Sequence, residues 1–205
     1  GRGEAGSAVN APAPRSVNQE RSGWGKFCSF AETTNVMVPT SAPARPQTLE
    51  EFLAWEPLDG FKYEWNDGEV IQSERMKKKH LYLIRRLNRL FLTTTAHAEG
   101  GELIPEQDVW LSDTQMRRPD LAYFSAQQIN ESAIAEAEPI PPFVIEVISP
   151  TDDAEQVESK VAEYFDAGVE VLWHVYFASQ VVYVYTSRRS VTVCLEADIC
   201  SAAPV

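Results

Sequence analysis

Phe143-Val144-Ile145-Glu146-Val147-Ile148, set between Pro142 and Ser149-Pro150, constrains the fold of this chain more than any other segment. An apolar run of this length reads as a strand buried on both faces, hence the centre of a sheet covered on both sides. Glu146 interrupts it. A lone ionised carboxylate in such a place is costly, so Glu146 is expected to be protonated, paired or bound to a cation. Strand alternation puts Phe143, Ile145 and Val147 on one face and Val144, Glu146 and Ile148 on the other, aiming Glu146 into a helix-covered layer or a cleft within it. Asp120 after Pro119 and Lys160 downstream add a second carboxylate and an ammonium, which favours the cation. Lys160 falls at the edge of the stripe formed by Val157, Val161 and Tyr164, so its stem can pack inside while its ammonium reaches the cleft.

The flanking segments build a mixed architecture. Thr48-Leu49-Glu50-Glu51 has the form of a capping box and opens a short amphipathic helix that ends before Pro57. Phe61–Trp65, the turn Asn66-Asp67-Gly68 and Glu69–Ile71 predict a hairpin. Leu81, Ile84, Leu87, Leu90 and Phe91 recur at helical spacing, predicting a helix through about residue 96 that Gly100-Gly101 closes. Strand-like segments follow at 103–105, 108–111 and 121–124, then a polar, alanine-rich stretch to Pro139 that reads as a loop or one helical turn. Asp152 or Asp153 caps a helix that Gly168 stops. Val171–Tyr176 and Val181–Tyr185 predict a second hairpin, with 191–195 as a last strand. These elements define an α/β (α+β) chain with a mixed central β-sheet flanked by helices.

The 205 residues, 44% of them hydrophobic, suffice for one domain. Residues 1–46, rich in Ala, Pro, Ser, Gly and Asn without periodicity, read as a low-complexity, flexible extension, and residues 47–205 as the domain. A tag remnant, a processed leader and a start at Met37 are equal readings of that extension. No apolar run approaches the roughly 20 residues of a membrane span and no secretory signal pattern is present, which predicts a soluble, cytoplasmic chain without a membrane partner. Cys28, Cys194 and Cys200 lack metal-ligand spacing and argue against a disulfide framework. The formal net charge of −12 opposes broad attraction to nucleic acid. Against it, Arg75, Lys77, Lys78, Lys79, His80, Arg85, Arg86 and Arg89 crowd into one stretch and can form a local basic surface.

Five motifs in order, Leu49-Glu50-Glu51-Phe52-Leu53, Lys62 to Glu69, Asp108 to Asp113, Arg118 to Ala122 and Val144 to Pro150, resemble the Uma2 family over roughly residues 47–190. That is the DUF820 group of restriction-endonuclease-like proteins in the PD-(D/E)xK nuclease superfamily. The resemblance implies a restriction-endonuclease-like core and a Mg²⁺ or Mn²⁺ site that hydrolyses DNA phosphodiesters. It makes Asp120 and Glu146 the metal carboxylates and Glu64 a third. The lysine expected two positions after Glu146 is replaced by Ile148, and Lys160 on the next helix resembles a migrated substitute. Lys77, Lys78, Lys79, His80 and Arg85 are the expected nucleic-acid contacts. His174-Val175-Tyr176 departs from the Val-Asp-Pro of similar chains.

The residue types agree with that chemistry, since Mg²⁺ takes one or two carboxylates plus water and phosphate oxygens. Lys160 would orient the attacking water or neutralise a phosphate oxygen. Two alternatives stand beside the metal-dependent nuclease. One is a nuclease-fold protein without turnover that serves as a nucleic-acid-binding or protein-interaction module. The other is a hydrolase of small phosphodiesters. Cutting both strands of a duplex would be simplest for a homodimer.

Overall fold

The computed structural model describes residues 44–73, 77–135, 137–203 and 205. The proposed extension lies almost wholly outside the described residues, as do Cys28, Met37 and Arg75. Arg45 and Pro46 fall on its side of the expected boundary, yet Pro46 is buried and the Arg45 guanidinium donates to Gln72. No helix among the described residues is long and apolar enough to cross a membrane.

Local sequence explains most element boundaries. Helix α1 (Leu49–Leu53) starts at Thr48, whose hydroxyl accepts from the Glu51 N–H at 3.2 Å. Strands β1 (Lys62–Asn66) and β2 (Glu69–Ser73) form the predicted hairpin, with Asp67 and Gly68 at φ 47° and 96°, the left-handed pair that a two-residue turn requires. Helix α2 (Lys78–Phe91) ends earlier than its periodicity predicts. The hydroxyls of Thr93 and Thr94 donate to the carbonyls of Leu90 and Phe91, and Thr94 then caps a separate turn, α3 (Thr95–Ala98). After β3 (Glu102–Pro105), β4 (Val109–Ser112) and β5 (Gln115–Arg117) pair as an antiparallel hairpin. The third of these strands was not predicted.

Strand β6 (Leu121–Phe124) leads to the largest correction, for the polar stretch is a ten-residue helix, α4 (Ala126–Ala135). Its start is a reciprocal cap: the Ser125 hydroxyl accepts from the Gln128 N–H and the Gln128 side chain accepts from the Ser125 N–H. Strand β7 (Phe143–Ile148), helix α5 (Ala154–Ala167) and strand β8 (Val171–Tyr176) then form a parallel crossover unit. Asp153 caps α5 and Gly168 ends it at φ 109°. Strands β9 (Val181–Ser187) and β10 (Ser190–Leu195) complete the regular structure of the described residues.

The strands make two sheets. A small antiparallel sheet runs β2-β1-β5-β4, and a large one runs β10-β9-β8-β7-β6-β3, mixed because β7 and β8 are parallel. β7 is central, as its apolar run requires. Phe143, Ile145 and Val147 join Ile84 and Phe91 of α2 in one core, while Val144 packs with Val161 and Tyr164 of α5 on the other face. Ala122 and Phe124 share that second face and meet Val109 of the small sheet. The Glu146 face is therefore covered jointly by α5 and the small sheet. On the far side of the small sheet, Tyr63, Trp65 and Met116 pack with Phe52 of α1. Alternation then turns Lys62, Glu64 and Arg117 inward, toward Glu146.

Candidate active site

Glu146 reaches the layer between the sheets from the middle of β7 and is 5% exposed. Leu121 pairs with Ile145 across the antiparallel β6–β7 ladder, so Asp120, one residue before β6, arrives beside Glu146. The Val147 N–H donates to Asp120 Oδ2 at 2.7 Å, which fixes that carboxylate against the neighbouring strand. From α5, the Lys160 ammonium donates to Glu146 Oε1 at 3.3 Å and to Glu64 Oε1 at 3.0 Å. One turn later the Tyr164 hydroxyl donates to Glu146 Oε1 at 2.8 Å. Asp120, Glu146 and Lys160 line one cleft together with Lys62 and His174.

Glu64 occupies the closed end of this layer. It is fully buried, and its oxygens accept from Lys160, from the Arg118 N–H at 3.0 Å and from Arg117 Nη1 at 3.1 Å. Arg117 is itself 2% exposed and donates through Nε to Glu163 at 2.7 Å. Glu64 thus organises cations, and it does not line the cleft that Asp120, Glu146 and Lys160 share. Among the described residues no group of three or more His, Cys, Asp or Glu side chains converges to hold an ion. Asp108, within another motif, has a scaffold role: it receives Arg118 in a two-pronged bond at 2.5 and 3.0 Å.

The electrostatics separate the carboxylates. Burial works against the charge on Glu146, but Lys160, Lys62 and the Tyr164 hydroxyl outweigh it and hold the carboxyl at about 2. Burial likewise opposes charge on Glu64, and Lys160 and Lys62 again prevail, keeping it below the ordinary range. Asp120 goes the other way. Burial lifts it above the usual carboxylate value, and Lys62 opposes that without overcoming it while Glu146 adds to it. Desolvation also disfavours the charge on Lys160, yet Glu146 and Glu64 raise its affinity for the proton. The site therefore holds ionised lysines beside a carboxylate that is short of positive charge.

An ionised Glu146 beside an Asp120 with that shortfall fits a hard divalent ion, which needs one or two carboxylates and otherwise takes water and phosphate oxygens. Asp120 Oδ1, whose partner is the Lys62 ammonium at 3.3 Å, and Glu146 Oε2 are the oxygens suited to it. Val147 commits Asp120 Oδ2, while Tyr164 and Lys160 commit Glu146 Oε1.

The expected basic contacts divide by helical geometry. Lys77 and His80, three residues apart at the start of α2, line the cleft. Lys78, Lys79 and Arg85 are exposed but do not line it, because the intervening rotation carries them to other faces of the helix.

Four residues of this layer were not singled out for the site from sequence. Lys62 precedes Glu64 by two in a strand, so period-2 alternation signalled that they share a face. Tyr164 follows Lys160 by four on a helix, and its place in the apolar stripe conceals its hydroxyl. Arg117 lies on the unpredicted strand β5. His174 pairs in register with Glu146 across the parallel β7–β8 ladder, a relation that no local pattern reveals. Its ring is 1% exposed, neither ring nitrogen has a hydrogen-bond partner among the described residues, and burial lowers its pKa to about 4, so it is neutral.

Fold and site define an α/β protein with a mixed central sheet and a carboxylate–lysine cleft on one face. The chain belongs to the Uma2 family, described as "Putative restriction endonuclease", which it matches over residues 49–203. Among solved structures it is similar to a protein from Anabaena variabilis titled a putative nuclease belonging to DUF820. The TM-score is 0.64 at 21% identity, covering 75% of this chain and 87% of the other. That likeness supports the fold. No curated protein matches the chain.

Proposed function

We propose that the protein is a metal-dependent nuclease that hydrolyses DNA phosphodiester bonds, with Mg²⁺ or Mn²⁺ held by Asp120 and Glu146. The observation that carries this reading is the convergence of Asp120, Glu146 and Lys160 on one cleft, with Lys160 3.3 Å from Glu146. Bound there, the ion would acidify a water and offset the charge that develops on the phosphoryl group. The protein's own part is positional. Val147 and Tyr164 orient the two carboxylates, and Lys160, kept protonated by Glu146 and Glu64, places a fixed positive charge for the attacking water or a phosphate oxygen. Lys77 and His80 at the N-terminus of α2 supply a basic rim, where backbone N–H groups also favour an anion.

The test is incubation of plasmid and single-stranded DNA with Mg²⁺ or Mn²⁺, comparing wild type with Asp120→Asn and Glu146→Gln. Nicking by wild type alone, with all three proteins folded, supports the reading. Equal behaviour of the three sinks it.

A second reading, a nuclease-fold binding module without turnover, draws on one specific feature. Lys62 and Lys160 already pair with the two carboxylates, so each has an internal cation. Retention of divalent ions without cleavage would favour it.

A further inference from the structure

The nuclease reading assigns no role to Lys62, yet this residue stands where the reading most needs an open ligand. Its ammonium lies 3.3 Å from Asp120 Oδ1, and both side chains are 12% exposed at the cleft. Asp120 Oδ2 is taken by the Val147 N–H, so Oδ1 is the oxygen available to an ion, and Lys62 sits on it. The two lysines of the site are not equivalent. Lys160 is shared between Glu146 and Glu64 and keeps a partner when Glu146 turns to another cation. Lys62 has Asp120 as its sole ion-pair partner among the described residues. An ammonium and a dication at one oxygen repel each other strongly in a desolvated cleft.

We propose that Lys62 is the resident counter-ion of Asp120, neutralising it in the ion-free protein and yielding Oδ1 when a divalent ion binds. Ion binding then competes with an internal salt bridge. The displaced ammonium, on a flexible four-carbon stem rooted at the start of β1, remains in the cleft, where a substrate phosphate oxygen suits it. This inference rests on the proposed metal site and sets its affinity.

The test is calorimetric titration of the full chain with Mn²⁺ for wild type, Lys62→Met, Lys62→Arg and Asp120→Asn, with circular dichroism confirming the fold. Lys62→Met is expected to bind Mn²⁺ about tenfold more tightly or better, the scale of a like charge removed from within ~4–6 Å. Lys62→Arg should bind as wild type does, and Asp120→Asn should lose the ion. A merely structural lysine predicts the opposite sign, since its loss would loosen the site. Unchanged or weaker binding by folded Lys62→Met overturns the proposal. Should that variant fail to fold, Lys62→Gln, which keeps a donor for Asp120, decides by the same criterion. Tightened, Asp120-dependent binding without any DNA cleavage by wild type upholds the counter-ion and sinks the nuclease reading. Cleavage by wild type with no change of ion affinity in Lys62→Met sinks the counter-ion alone. Absence of ion binding by wild type overturns both.

Discussion

Glu64 and Asp120 are carboxylates in the same charged layer, yet they differ in almost every physical respect. Glu64 is sealed, meets Arg117, Lys160 and a backbone N–H, and is held below the usual pKa. Asp120 lies at the open end, meets one lysine and one N–H, and is held above it. Burial alone does not mark a chemical carboxylate, since both are buried. What distinguishes them is whether the protein supplies enough positive charge. A saturated carboxylate stabilises the fold, and an undersupplied one is a place for a ligand to contribute charge.

Opening the closed end puts the contrast between Glu64 and Asp120 at greatest risk. Arg117→Met leaves Glu64 and Glu163 short of their cation and should cost about 3–5 kcal/mol, read from urea unfolding. A loss below about 1 kcal/mol, the range of exposed pairs, would show that Glu64 does not depend on Arg117 for its charge.

Asp120→Asn tests the open end. The folded state already disfavours the ionised form, but the neutral amide leaves Lys62 without its ion-pair partner, so the stability cost in metal-free buffer is expected to stay below that of Arg117→Met, while on the nuclease reading cleavage falls by about 10²–10³ or more. A drop in unfolding free energy as large as that of Arg117→Met would place Asp120 with Glu64 as a structural group.

Acidification tests the floor of the cleft. His174, lowered from 6.5 to about 4, is uncharged when folded, so the unfolded chain binds the extra proton between those values. Stability is therefore full above about pH 6.5 and declines as pH falls toward about 4, by on the order of 2–3 kcal/mol. Glu146, lowered from 4.5 to about 2, adds a second loss in the adjoining window as pH falls from about 4.5 toward 2. His174→Leu should flatten the upper window and leave the lower one. An unchanged profile in that variant would mean that another group titrates.

The smallest effect expected is that of Tyr164→Phe. It removes the 2.8 Å bond to Glu146 and should cost about 1.5–2 kcal/mol while raising the Glu146 pKa, measurable by NMR titration of its carboxyl carbon. No pKa change would assign Glu146's low value wholly to the lysines.

Much of this was legible along the chain. The run Phe143–Ile148 placed Glu146 at a sheet centre, the turn at Asp67-Gly68 announced a hairpin, and the edge position of Lys160 directed its ammonium to the cleft, which it lines. The missed helix α4 was also locally encoded, for Ser125 and Gln128 form the reciprocal cap that its polar composition obscured. Strand β5, only three residues long, carried no pattern to recognise.

Local periodicities of 2 and 3.6 thus determined which side chains within an element share a face, and a carboxylate inside an apolar run announced that charge had to come from somewhere else. Which charge came, and from where, was decided by tertiary structure. Stacking the small sheet over β7 brought Lys62 into the layer of that carboxylate and set Glu64 on the Lys160 that α5 supplies to it, and the parallel β7–β8 register set His174 beside it. Those relations depend on strand register and sheet packing between distant segments, which no periodicity within one segment contains.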